Sequence, residues 1–177
     1  MSDQLNEPTT MNASTLRELM NTYGEDVWNY AYFLSRSGAV ADDIAQETFI
    51  RAYKHMNSFR GEASVKTWLL QITRNRWYTY RNSGFMKRVI LKEQPEPGAA
   101  VSAEDAFLEQ SLSGDIWRLV LRLPRKHREV LILHAHYNLT MEELALTLGL
   151  SLSGAKSRLL RARKQANECW NKELERL

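Results

Sequence analysis

Residues 140–164 read TMEELALTLGLSLSGAKSRLLRARK, a stretch that specifies two short helices around a tight turn, the second strongly basic. Thr140 and Glu143 have capping-box spacing, in which the hydroxyl and the carboxylate each satisfy an amide that the first turn leaves orphaned. Leu144, Ala145 and Leu148 form the buried stripe of that helix. Gly149 can adopt the left-handed conformation that ends it, Leu150 can plug the corner, and Ser151 is placed to cap the next helix. In the second helix Ala155, Leu159 and Ala162 share one face at helical spacing, which leaves Lys156, Ser157, Leu160, Arg161, Arg163 and Lys164 on other faces. A solvated basic face is the bland alternative. The cap, turn and cap that precede it favour a helix-turn-helix, a motif that presents its second helix to DNA.

The surroundings agree with a nucleic-acid partner. The chain has 177 residues, 44% of them hydrophobic, enough for one domain or two small ones with real cores. Its net charge is only +3, but the distribution is uneven. Between Arg60 and Lys92 the cations Arg60, Lys66, Arg74, Arg76, Arg81, Lys87, Arg88 and Lys92 face only Glu62, a block suited to a polyanion. Cys169 is the single cysteine and cannot form an internal disulfide. With no signal-peptide pattern and no long apolar run, the cytoplasm is the expected compartment and no membrane insertion is expected.

The remaining pattern is helical, with no useful strand-like alternation. Residues 1–13 are polar and patternless, the signature of a mobile tail. Ser14 can cap a helix whose stripe is Leu16, Leu19, Met20, Tyr23, Val27, Tyr30, Ala31 and Leu34. A second helix is expected over Asp42–Met56, burying Ile44, Ala45, Thr48, Phe49, Ala52, Tyr53 and Met56, and a third begins near Ser64 with Val65, Trp68, Leu69 and Ile72 inward. From Ser83 to about Gly114 the pattern breaks at Pro95, Pro97 and Gly98, among Glu93, Glu96, Glu104, Asp105 and Glu109, which reads as a linker between domains. A helix ending near Leu123 and another with Pro124 at its first position complete the chain before Thr140. The expected fold is all-α: two small helical domains joined by an irregular linker, the C-terminal one a helix-turn-helix.

Two further features narrow the chemistry. In DDIAQETFIRAYK the outward face carries Asp43, Gln46, Glu47 and Ile50, a single aliphatic residue among acids and amides, as in an apolar anchor with a polar rim or in ordinary surface scatter. In FRGEASVKTWLLQITRNRWYTYR, Arg60, Arg74, Arg76 and Arg81 interleave with Phe59, Trp68, Trp77, Tyr78 and Tyr80. Cations hold phosphates and aromatic faces receive unstacked bases, so this composition suits melted DNA better than an intact duplex. Trp68 is expected to be core, and Asn75 is either a satisfied buried amide or a reader of base edges. Enzymatic motifs are lacking: His134 and His136 point to different sides of a helix, His55 and His127 are scattered, and no glycine loop or nucleophile elbow is present. Neither a metal nor a cofactor is expected, and the chain does not read as an enzyme.

Four blocks together, DDIAQETFIRAY, FRGEASVKTWLLQITRN, LPRKHREVL and TMEELALTLGLSLSGAKSRLLRARK, resemble the extracytoplasmic-function sigma factors of bacterial RNA polymerase, in the family's order and over about 100 residues. The resemblance implies residues 14–82 as a region 2 domain, 83–112 as linker and 113–177 as a region 4 helix-turn-helix domain. It implies promoter-directed initiation: Asp43, Gln46, Glu47 and Ile50 on the clamp coiled coil of the largest subunit of core RNA polymerase; Phe59 and Asn75 at a flipped base of the −10 element, with Arg60, Lys66, Arg74, Arg76 and Tyr78 on strands or phosphates nearby. At the −35 element it implies Lys156, Ser157, Leu160 and Arg161 on base edges and Arg158 and Arg163 on phosphate. An anti-sigma factor is a common partner in the family. The chain departs from the pattern at Gly154-Ala155, where many members carry Thr-Val. The rival reading, a stand-alone helix-turn-helix transcriptional regulator, would need a receiver or ligand domain, and the first 82 residues offer only helices.

Overall fold

The computed structural model describes residues 13–83 and 115–175. The tail and most of the linker lie outside these residues. Among the described residues the structure is helical without strands, in the order α1 (Ala13–Ser35), α2 (Gly38–His55), a 3-10 turn (Met56–Ser58), α3 (Val65–Asn82), α4 (Asp115–Arg122), α5 (Arg125–Leu131), a π-helical turn (Ile132–His136), α6 (Met141–Leu148) and α7 (Leu152–Leu174).

The local chemistry expected of the last two helices is present. Thr140 and Glu143 form the complete capping box, Gly149 closes α6 in the left-handed conformation with φ 64°, and the Ser151 hydroxyl accepts the Gly154 N–H at 3.1 Å. Leu144, Ala145 and Leu148 are buried, as are Ala155, Leu159 and Ala162. Ser64 caps α3 by accepting from Thr67 N–H. Helix boundaries elsewhere moved. Ser14 lies inside α1 rather than capping it, and α2 starts at Gly38, capped by Ser37. Pro124 occupies the cap position itself, one residue before α5 begins.

Several buried faces also differ from the periodic expectation. Met20 and Tyr53, expected inward, are exposed, and Trp68 is only half-buried. In α3 the fully buried positions are Thr67, Leu69, Leu70, Thr73 and Trp77, while Val65 and Ile72 are partly covered. The cause is tertiary. The last turn of α1 is buried on every side from Asn29 to Leu34, and α3 is packed on two sides, because the C-terminal helices close against both. One apolar cluster joins Tyr30, Phe33, Leu70 and Trp77 to Val130, Leu133, Leu144 and Leu159; a smaller one of Leu19, Val27, Phe49, Ala52 and Leu69 lies within the N-terminal helices. Each fully buried side chain of this size contributes about 1.5–3 kcal/mol, so the shared cluster outweighs any single polar contact across the seam.

The polar contacts instead fix the register of the two halves. The Tyr137 hydroxyl donates to the Asp26 carbonyl at 2.8 Å, with the Tyr137 ring edge-on to Tyr30, and the Thr67 hydroxyl donates to Glu143 Oε1 at 2.9 Å. Glu143 thereby serves both its own helix cap and the seam. Burial opposes its charge, but hydrogen bonds from Thr140, Thr67 and Ser64 hold its pKa below the ordinary carboxylate value. His136, ring to ring with Phe33 across the seam, has its pKa lowered by burial, which outweighs the opposing effect of Asp26; Lys66 adds a lesser lowering and Glu25 a still lesser raising.

Both shifts give the same sign. The unfolded histidine takes up its proton at about pH 6.5, before the folded one does, so stability falls as pH drops below that value. The depressed Glu143 contributes stability above the carboxylate range and loses it as pH falls through its folded pKa. The melting temperature is expected to be flat above neutrality and to fall on acidification, and His136→Phe to flatten the limb just below about pH 6.5. A pH-independent melting temperature would contradict both placements.

Candidate nucleic-acid and polymerase interfaces

The recognition helix α7 divides cleanly into two faces. Ala155, Leu159 and Ala162 lie against α5 and α6, while Lys156, Ser157, Leu160, Arg161 and Arg163 are exposed and Arg158 is half-covered. Leu160 is 70% exposed. An aliphatic side chain held in water among cations is suited to the methyl group of thymine, which the major groove presents beside hydrogen-bonding edges. Beside the first turn of α7 is a cleft of about 470 Å³ lined from two helices, by Lys126 and His127 of α5 and by Ser153, Gly154, Arg158 and Arg161 of α7. Cationic side chains and the amide end of a 23-residue helix face one concavity there, an arrangement that attracts phosphate. A Cβ on Gly154 would come within 3.1 Å of the Ser151 hydroxyl that caps the helix, so the glycine keeps the cap uncrowded. Lys126 and His127 were missed in the sequence. Their basic run, PRKHR, precedes the motif, but only the fold brings it beside α7.

On α2, Asp43, Gln46, Glu47 and Ile50 are all exposed, Ile50 by 51%. Tyr53, 42% exposed one turn further on, extends the apolar part of that face and was not anticipated there.

The expected −10 residues are less uniform. Asn75 and Arg60 are exposed, and Lys66 pairs loosely with Asp26 at 3.7 Å. Phe59 packs on Trp68, ring centroids 5.0 Å apart. Trp68 precedes Asn75 by seven residues, about 10 Å along a helix, so the first contact of Phe59 is the tryptophan at the start of α3. Arg76 is ion-paired with Glu47, joining a residue expected on DNA to one expected on polymerase. Arg74 and Tyr78 face the C-terminal half: Arg74 Nε donates to Glu129 Oε1 at 2.7 Å, Tyr78 donates to Oε2 at 3.4 Å, and Tyr30 donates to Oε1 at 3.1 Å. Burial disfavours the charge of Arg74, but Glu129, Tyr30 and Tyr78 together raise its pKa above the ordinary arginine value. Burial and then Glu129 raise that of Tyr30, which stays a phenol and a donor. Arg74 and Arg125 lie 4.5 and 5.2 Å from the Tyr78 ring centroid, within cation–π range. No grouping of His, Cys, Asp and Glu suited to a metal occurs among the described residues, and no described helix is long and apolar enough to cross a membrane.

Known proteins share both halves. The Sigma-70 region 2 family matches residues 19–84, and the Sigma-70 region 4 family matches residues 113–165. RNA polymerase sigma factor YlaC of Bacillus subtilis (strain 168) is 30% identical over 165 residues, covering 91% of this chain and 95% of the relative. The extracytoplasmic-function (ECF) RNA polymerase sigma factor SigM of the same strain is 28% identical over 89% of this chain and 96% of its own length. The chain belongs to the ECF RNA polymerase sigma factors. It directs RNA polymerase to promoters, binding the −35 element and melting the −10 element to initiate transcription. The sigma factor shares its fold with RpoE of Bartonella quintana, solved in complex with the anti-sigma factor NepR, at a TM-score of 0.68 and 22% identity over 90% of this chain and 98% of that one. CnrH, solved in complex with the cytosolic domain of CnrY, gives 0.63 at 22% identity over 91% of this chain and 90% of that one.

Proposed function

We propose a division of labour within the sigma factor with residues 14–82 as the polymerase-binding and melting domain, 83–112 as linker and 113–177 as the duplex-reading domain. Core polymerase is bound through its clamp coiled coil by Asp43, Gln46, Glu47 and Ile50. The −10 element is opened and held by Phe59 and Asn75, with Arg60, Lys66, Arg74, Arg76 and Tyr78 on the strands. The −35 element is read by Lys156, Ser157, Leu160 and Arg161 and held on its phosphates by Arg158 and Arg163. The protein acts in the cytoplasm, carries no catalytic residues of its own, and is held inactive by an anti-sigma factor. The observation that carries this reading is the sharp division of α7, whose apolar stripe is buried while its basic face stands open.

Substitution within that face provides the test. Arg161→Ala is expected to cost about 1–3 kcal/mol in a manner that depends on the bases of the −35 element. Arg163→Ala is expected to weaken all promoters evenly and to reduce the slope of affinity against salt by about one ion. Binding titrations at several salt concentrations on promoter variants separate the two. A uniform loss for Arg161→Ala moves that residue to the phosphates.

A further inference from the structure

Glu129 is the acid on which the two halves of the sigma factor close. It stands on α5, 2% exposed, and its carboxylate accepts hydrogen bonds from three residues of the N-terminal half, Arg74, Tyr30 and Tyr78. Two of these, Arg74 and Tyr78, are the residues assigned to promoter strands. A carboxylate that receives a guanidinium and phenolic hydroxyls offers them the chemistry of phosphodiester oxygens. We infer that Glu129 is an internal stand-in for a DNA phosphate, keeping Arg74 and Tyr78 closed against α5 until nucleic acid displaces it and the halves part. This rests on the assignment of Arg74 and Tyr78 to DNA.

The surroundings make the closure sensitive to a polyanion. Arg125 lies over the other partner, Tyr78. Arg36 and Arg128 both donate to the Leu121 carbonyl, at 3.4 and 3.0 Å. The Arg128 pKa is lowered to about 10 by burial and by Arg36 and Arg125, with Glu129 the group that opposes the shift. Arg74 thus bonds the buried carboxylate, Arg128 lies within its electrostatic reach, and Arg125 covers the ring of its third donor. A buried pair that loses one partner leaves an uncompensated charge, which costs far more than a surface pair would; in the open form the same guanidinium returns to water. Removing the Glu129 charge therefore penalises the closed form selectively, while the apolar cluster and the contacts of Thr67 and Tyr137 continue to favour it.

The test uses the full chain with Glu129→Gln, which keeps shape and removes charge. X-ray scattering gives the radius of gyration, and fluorescence anisotropy gives affinity for a labelled single-stranded DNA of mixed sequence, about 20 nucleotides long. The variant is expected to be more expanded and to bind about tenfold tighter, because the closed population no longer taxes binding. Adding Arg74→Gln should abolish the gain, since the released group is the one that binds. Unchanged dimensions and affinity in Glu129→Gln would overturn the inference, as would a gain that survives Arg74→Gln. If circular dichroism shows that Glu129→Gln does not fold, Thr67→Val with Tyr137→Phe loosens the seam without touching Glu129, Arg74 or Tyr78. The same expansion and tighter binding are then expected, and their absence overturns it. Expansion of Glu129→Gln together with an Arg74→Gln single variant that binds DNA normally would retain the closure and reject the assignment of Arg74 to DNA.

Discussion

Ile50→Glu is expected to lower the affinity of the sigma factor for core polymerase by about thirtyfold or more, while its helicity and melting temperature stay close to those of the unchanged protein. Ile50 is 51% exposed in the free molecule and belongs to neither apolar cluster there, so the fold has little to lose. In a polymerase interface the same position becomes a desolvated anchor. Truncating such an anchor typically costs about 2 kcal/mol or more, and burying a carboxylate without a partner adds a desolvation penalty of several kcal/mol. Tyr53 on the next turn should share the effect at smaller size. Titration of labelled protein with core polymerase measures it, and an affinity equal to that of the unchanged protein would remove α2 from the polymerase interface.

Leu144→Ala is expected to cost about 2–5 kcal/mol. Leu144 is fully buried in the middle of α6, within the cluster that joins Leu133 and Leu159 to Tyr30, Phe33 and Trp77. The loss of all of its side chain beyond Cβ leaves a cavity in a region pinned by the Thr140 capping box and the Gly149 turn, which limits collapse. For a chain of this size the melting temperature should fall by roughly 5–15 °C. Because the cluster crosses the seam, melting should remain a single transition in which the N-terminal helices lose stability with the C-terminal ones. A calorimetric scan that splits into two steps, the upper unchanged by the substitution, would show the halves to be independent.

The helix-turn-helix was legible because each of its signals is local. Thr140 and Glu143 need only three-residue spacing, Gly149 needs only a backbone conformation, and the Ala155, Leu159 and Ala162 stripe repeats within one helix. The α2 face was legible for the same reason, since Ile50 among Gln46 and Glu47 is conspicuous at any depth of packing. What the sequence hid lies in the seam. A stripe count assumes one buried face per helix, yet α1 ends and α3 runs between two neighbours, so Tyr32 and Phe33 are buried where one face would expose them and Met20 is exposed where it would bury them. Arg74 and Tyr78 read as part of a basic aromatic block because their partner, Glu129, lies far along the chain beside Arg128. Lys126 and His127 gain their place beside α7 only through the packing of α5. Long-range pairing of this kind leaves no periodic trace.

Reconstitution tests the promoter-directing role of the chain most directly. The purified chain is added to core polymerase of its own bacterium with a library of promoter fragments, and the start sites are mapped. Specific initiation that requires the chain is expected, with none by core polymerase alone and with selective loss at particular −35 sequences for Arg161→Ala. Transcripts that appear only when another sigma factor is supplied, with this chain merely raising or lowering their yield, would contradict that role.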